Sequence, residues 1–159
     1  MNTAGLLLVE DSPDDETLVI RALRRANVPA EVSVARDGVE ALDLLFGPGA
    51  LARPLPSLIL LDLKMPRVDG FQVLERLRAE PRTRGVPVVV FSSSNEPGDV
   101  QRSYALGASS FVRKPVDFDE FATAVRLLGQ YWLTLNLVPG LPVAEPTAAG
   151  LRVPPAPSG

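Results

Sequence analysis

The sequence predicts an α/β domain: a five-stranded parallel sheet, doubly wound, with an arm at its carboxyl end. Three observations predict it. Leu6-Leu7-Leu8-Val9, Leu58-Ile59-Leu60-Leu61 and Val88-Val89-Val90-Phe91 are continuous apolar runs, as expected of strands covered on both faces. Strand-like and helix-like segments alternate five times, which calls for parallel pairing through right-handed crossovers with helices on both faces. The central run, Leu58-Ile59-Leu60-Leu61, stops on a carboxylate, Asp62, and open α/β sheets place their ligands beyond the carboxyl ends of strands.

Taken in order, the first strand runs into Glu10 and Asp11. Ser12 then suits a helix N-cap, Pro13 the first helical position, and Asp15 stands three residues after the cap. That helix carries Leu18, Val19, Ala22, Leu23 and Ala26 on one side and ends at residues 27–29. Residues 31–35 alternate, so the second strand has one less buried face. Asp37-Gly38 turns into a helix on Val39, Leu42, Leu45 and Phe46. Residues 47–57, with two glycines and three prolines, form a loop of unusual length. Beyond Asp62, Pro66 and the turn pair Asp69-Gly70 lead to a helix from about Phe71 to Glu80 on Phe71, Leu74 and Leu77.

The fourth strand, residues 87–91, ends in Ser92-Ser93-Ser94, and residues 99–106 make a helix poor in apolar side chains, closed by Gly107. Residues 110–113 are a short fifth strand ending in Lys114-Pro115. Asp117 and Glu120 predict a capping box for a last helix on Phe118, Phe121, Ala122, Val125, Leu128 and Trp132. Leu133, Leu135 and Leu137 alternate with Thr134 and Asn136, which predicts an extended arm. Beyond Val138, six prolines and three glycines in 21 residues predict little fixed structure. The expected division is a domain over 1–133 and an arm with a Pro/Gly-rich tail over 134–159.

Composition narrows the chemistry. The chain of 159 residues has no cysteine, which excludes disulfides and thiolate chemistry, and no histidine, the usual general base and commonest metal ligand. Carboxylates, hydroxyls, Lys and Arg must do the work. A net charge of −3 argues against a nucleic-acid partner held by phosphate contacts. No apolar run approaches the roughly 20 residues of a membrane span, and residues 1–5 lack a signal-peptide pattern, so a cytoplasmic protein is expected.

In a parallel sheet Glu10, Asp11, Asp62, Ser92 and Lys114 lie along one edge. Three carboxylates in one pocket repel and raise one another's pKa unless a cation compensates. With oxygen ligands alone, the natural cation is Mg²⁺. Lys114 supplies a point charge and Ser92 a hydroxyl, with Ser93 and Ser94 as alternative donors. That inventory suits phosphoryl transfer onto a carboxylate.

This constellation resembles the receiver domain of two-component response regulators. The resemblance is carried by Leu7-Leu8-Val9-Glu10-Asp11, by residues 60–70 (Leu-Leu-Asp-Leu-Lys-Met-Pro-Arg-Val-Asp-Gly), by Phe91-Ser92-Ser93, and by Gly107-Ala108 with Phe111-Val112-Arg113-Lys114-Pro115. It implies a flavodoxin-like fold with strand order 2-1-3-4-5, and an Asp62 that accepts phosphate from a histidine kinase. It further implies Mg²⁺ held by Asp11, Asp62 and the main-chain carbonyl of Lys64, with Glu10 holding a metal-bound water. Ser92 and Phe111 become the switch residues, and Lys114 precedes a cis Pro115. Glu10 stands where many members have Asp, Ser92 where Thr is commoner, and Phe111 where Tyr is frequent. The 47–57 loop, the serine run and Tyr131-Trp132-Leu133-x-Leu135 resemble single-domain regulators serving bacterial phytochromes, which implies a bacteriophytochrome kinase.

The leading expectation is a stand-alone phosphoacceptor with weak self-catalysed phosphorylation and dephosphorylation, not a conventional enzyme. Only about 26 residues follow Leu133, too few for a DNA-binding output domain. An aspartyl-phosphate phosphatase is the first competitor, but it needs an acid two residues after the nucleophile, where Lys64 stands. A phosphate-independent binding module is the second. Phe121, Trp132, Leu133, Leu135 and Leu137 are the candidate contacts of a homodimer; the alternative is that the arm covers its own helix.

Overall fold

The computed structural model describes residues 4–139. Strands β1 (Ala4–Val9), β2 (Ala30–Ala35), β3 (Leu58–Leu61), β4 (Val88–Ser92) and β5 (Ser110–Arg113) alternate with helices α1 (Pro13–Arg25), α2 (Gly38–Phe46), α3 (Gly70–Ala79), α4 (Pro97–Ala105) and α5 (Phe118–Gln130). The sheet is parallel throughout, in the order β2-β1-β3-β4-β5. Leu8 pairs with Leu60, and Leu60 with Val89, so the three apolar runs lie side by side at the centre.

Period-two alternation divides those runs between two cores. Leu7, Val9, Ile59, Leu61, Val88 and Val90 face α2 and α3, meeting Ala41, Leu45, Phe71, Leu74 and Leu77. Leu6, Leu8, Leu58, Leu60, Val89 and Phe91 face α1 and α5, meeting Val19, Leu23, Phe121 and Val125. Each fully buried aliphatic side chain stabilises the domain by about 1.5–3 kcal/mol, which is why these three runs carry no polar interruption.

The helices start where the sequence provides acceptors. Ser12 accepts from the Asp15 N–H at 3.3 Å, Asp37 from Glu40 at 2.7 Å and Asp117 from Glu120 at 2.9 Å. A reciprocal capping box forms at Asp69 and Gln72, both bonds being 3.0 Å, rather than at Asp117 and Glu120, where the structure has the Asp117 half alone among the described bonds. The 47–57 loop includes a short 3₁₀ turn, Ala50–Ala52, pinned by buried Ala50.

Several expectations are corrected. Val39 and Phe118 are exposed, because Ala41 and Leu45 on α2, and Phe121 and Val125 on α5, already fill the faces turned to the sheet. The extended arm does not begin at Leu133: residues Tyr131–Leu135 continue α5 as one π-helical turn, and the expected boundary after Leu133 falls inside it. The turn forms because it places Leu133 in the core shared by β1, α1 and α5, where it is 7% exposed. Phe121 is likewise buried, its ring 5.2 Å from Phe91. Neither Phe121 nor Leu133 is therefore free to meet a partner. Residues 140–159 of the expected tail lie outside the described residues.

Gly70 opens α3 against the acceptor loop. A Cβ there would stand 2.3 Å from the Asp62 carbonyl oxygen and 2.8 Å from Leu63 Cα. Gly70→Ala is expected to destabilise the fold by about 1–3 kcal/mol, the usual range for forced overpacking. Urea unfolding should show a lower midpoint with an unchanged slope.

Candidate functional site

Glu10, Asp62 and Lys114 each sit one step beyond a strand and Ser92 ends β4, and backbone bonds prolong the ladder to fix them. The Glu10 N–H donates to the Ala35 carbonyl at 2.9 Å, Asp62 to Val9 at 3.0 Å and Lys114 to Ser92 at 2.9 Å. The result is a cluster at the carboxyl edge of β1, β3, β4 and β5. Carboxylate oxygens of Glu10, Asp11 and Asp62 lie within 4.8 Å of one another. Glu10 and Asp62 are buried, Ser92 fully so, whereas Asp11 is exposed.

Lys114 reaches into this cluster. Its ammonium hydrogen-bonds Glu10, donates to Asp15 Oδ2 at 2.8 Å and stands 3.6 Å from Asp62 Oδ2. Burial alone would depress its pKa, but the Asp62 charge and the hydrogen bonds to Asp15 and Glu10 outweigh it and hold the pKa above the ordinary lysine value. Glu10 moves the other way from most paired acids. Burial foremost, then its hydrogen bond to Asp62, push it up to about 8 although Lys114 pulls it down. One lysine does not compensate the negative charge gathered here.

That shortfall, with a donor set made only of oxygens, fits a divalent cation. Lys64 and Asp11 line a cleft of about 460 Å³ beside the cluster, together with Asp69, Phe71, Asp99 and Arg102.

The structure gathers Glu10, Asp11, Asp62 and Lys114 as the sequence analysis expected and sets Ser92 at the end of the neighbouring strand. The Ser92 hydroxyl oxygen accepts from the Ser94 N–H at 3.2 Å, and Ser94 donates its own hydroxyl to Asp99 Oδ2 at 2.5 Å. Phe111 is half-buried on the edge strand, packed against the α2–α3 core, and its N–H donates to the Tyr104 hydroxyl at 3.1 Å. The Lys114–Pro115 peptide, for which the resemblance implied cis, is trans, the lower-energy form of an X–Pro bond. Two residues escaped sequence reasoning. Asp15 looked like a helix-start residue but turns its carboxylate onto Lys114. Asp99 looked like part of a wet helix but is buried and holds the Lys64 ammonium at 3.5 Å. The one signal for Asp15 was a spacing of four from Asp11, across the first turn of a helix that starts at the site.

The model of the response regulator receiver domain matches residues 6–126. The chain belongs to that family. The response regulator Rcp1 of Synechocystis sp. is 34% identical over 135 residues, covering 84% of this chain and 92% of Rcp1. The structure of Rcp1 in its Mn²⁺-bound form superposes with a TM-score of 0.80, at 33% identity, covering 86% of this chain and 99% of that one. The phosphorylated cyanobacterial phytochrome response regulator RcpA gives a TM-score of 0.82 at 34% identity, covering 87% and 100%. The bacteriophytochrome response regulator AtBRR is 44% identical, with a TM-score of 0.66, covering 86% and 100%. The chain is thus a response-regulator receiver, similar to regulators that work with phytochromes.

The raised Glu10 pKa has a sign that can be checked. A carboxyl whose folded pKa exceeds its unfolded value contributes stability that is complete below about 4.5 and lost as pH rises through about 8. In chelator, the urea midpoint should therefore fall between pH 5 and pH 8.5, and Glu10→Gln should flatten that slope. A wild-type midpoint that rises steadily with pH would contradict it.

Proposed function

We propose that Asp62 accepts the phosphoryl group of a kinase phosphohistidine, and that the phosphorylated protein signals through a change of conformation or partner. The observation that carries this reading is the place of Asp62: a buried carboxylate that belongs to an oxygen-only cluster and has a lysine ammonium at 3.6 Å. An Asp62 carboxylate oxygen attacks phosphorus while the P–N bond to imidazole breaks and its electron pair stays on nitrogen. Little else is asked of the protein, since phosphoryl transfer is catalysed mainly by positioning and charge neutralisation.

Asp11, Asp62 and the Lys64 main-chain carbonyl would hold Mg²⁺, and Glu10 a water bound to it. When bound, the ion supplies the positive charge that screens Asp62 from the incoming phosphoryl oxygens. Lys114 pairs with a phosphoryl oxygen, and Ser92 offers its hydroxyl. Phe111, on the edge strand beside Tyr104, reports the change to α4. The same groups support slow self-catalysed phosphorylation and dephosphorylation in a cytoplasmic protein. The likeness to RcpA and AtBRR supports a bacteriophytochrome as the kinase. Asp62→Asn, nearly isosteric, should retain the fold and lose labelling by ³²P-phosphorylated kinase. Label that persists, or moves to serine, overturns the assignment.

The exposed apolar side chains at the carboxyl end support a homodimer on a different set of residues from the one the sequence suggested. Leu127, Tyr131, Leu135 and Leu137 are all at least half exposed, and Trp132 is half-buried against the α1–α5 core. Wetting two leucines forgoes burial of about 1.5–3 kcal/mol each, which a second copy recovers by two-fold pairing. Cutting the chain after Gln130 would also remove Leu133 from the core, so point changes are the cleaner test. Leu135→Asp with Leu137→Asp should sediment as a monomer at tens of micromolar (about the range of a weak dimer), while the unaltered chain sediments as a dimer. A monomeric unaltered chain overturns the dimer.

A further inference from the structure

The Lys114 ammonium is anchored twice. Glu10, at the end of β1, accepts one hydrogen bond, and Asp15, in the first turn of α1, accepts a second at 2.8 Å. An ammonium has three N–H groups in a tetrahedral arrangement, so two fixed bonds determine where the third points. Asp62 Oδ2, at 3.6 Å, is the remaining carboxylate within reach and lies beyond hydrogen-bond length. A lysine with one anchor swings on four rotatable bonds; with two anchors on separate elements it does not.

Asp15 is itself well held. Its N–H donates to the Ser12 cap, so the backbone is fixed at the start of α1 while the side chain turns inward to the edge of β5. Its side chain is 27% exposed against 9% for Lys114, which places it at the rim and the ammonium inside. Nothing in helix capping requires that orientation, because Ser12 already supplies the cap.

We propose that Asp15 is a positioning residue for phosphoryl transfer to Asp62: with Glu10 it forms a two-point anchor that aims the Lys114 ammonium at the acceptor. The inference rests on the reading that Asp62 is phosphorylated and extends it to a carboxylate outside the acceptor and cation cluster. With acetyl phosphate as donor, an Asp62 oxygen attacks phosphorus, the P–O bond to the acetyl group breaks, and acetate leaves with the bonding pair. The Lys114 N–H must meet a phosphoryl oxygen as that charge passes, and a mobile ammonium meets it less often.

The test compares Asp15→Ala and Asp15→Asn in the full chain, labelled by acetyl phosphate at saturating Mg²⁺. Asp15→Ala should slow labelling about tenfold, a moderate loss for a misplaced charge. Asp15→Asn keeps an oxygen acceptor in the same place and should stay within about twofold of wild type, a rescue that a merely structural role of the charge does not predict. The ¹⁵N resonance of the Lys114 ammonium reads the anchor without phosphorylation: slowly exchanging in wild type and Asp15→Asn, broadened in Asp15→Ala. Asp15→Ala labelling at the wild-type rate, or Asp15→Asn falling as far as Asp15→Ala, overturns the proposal. Label that persists in Asp62→Asn overturns the acceptor reading instead, and the ammonium resonance still decides whether Asp15 anchors Lys114.

Discussion

One ammonium group, Lys114 Nζ, stands among carboxylates delivered by three separate elements: Glu10 from the end of β1, Asp15 from α1 and Asp62 from the end of β3. Burying a charge is tolerable only where it is paired. The same lysine that lets Glu10 and Asp62 sit inside therefore also ties the far edge of the sheet to its centre. The pairing is incomplete. Three carboxylates surround one lysine, with Asp11 exposed at the rim, and burial together with the neighbouring Asp62 raises the pKa of Glu10 in spite of the lysine. A site of this kind is built to take up positive charge. Strength comes from the apolar sheet beneath it, since the buried leucines and valines keep water from screening the cluster.

A second polar network begins one strand over. Ser92, Ser94 and Asp99 form a chain of hydrogen bonds from the end of β4 to α4, and Asp99 closes it onto the Lys64 ammonium in the acceptor loop. The buried residues of α4 are Asp99 and Ser103, so this helix is attached by polar contacts where its neighbours are attached by apolar packing. Such elements lie toward the less stable end of a domain's range of local opening. The Tyr104 hydroxyl carries the same helix to the backbone of Phe111. The Ser92–Ser94–Asp99 chain and the Lys64 ammonium thus tie the end of β4 and the acceptor loop to a helix held largely by polar contacts.

The carboxyl end shows how packing reassigns a pattern. Alternating leucines after Trp132 read as a strand, yet Leu133 fits the gap between α1, α5 and β1, and the helix extends by a π turn to put it there. The residues left over are exposed: Leu135 ends that turn and Leu137 follows it.

By itself, the sequence determined the architecture and which polar groups reach the carboxyl edge of the sheet. Continuous apolar runs separated by amphipathic helices admit few folds other than a parallel sheet, and a charged residue ending such a run is bound for the sheet's carboxyl edge. Glu10, Asp11, Asp62, Ser92 and Lys114 were legible for that reason: strand ends carry their positions with them. Side-chain direction was not legible. Asp15 and Asp99 occupy ordinary helix positions, and whether such a carboxylate faces solvent or a lysine depends on how the helix is rotated against the sheet. Phe121 and Leu133 are apolar in sequence whether they face their own core or a second chain. Only the tertiary structure, by fixing the approach of α1, α4 and α5 to the strands, decided which way each of these side chains turned.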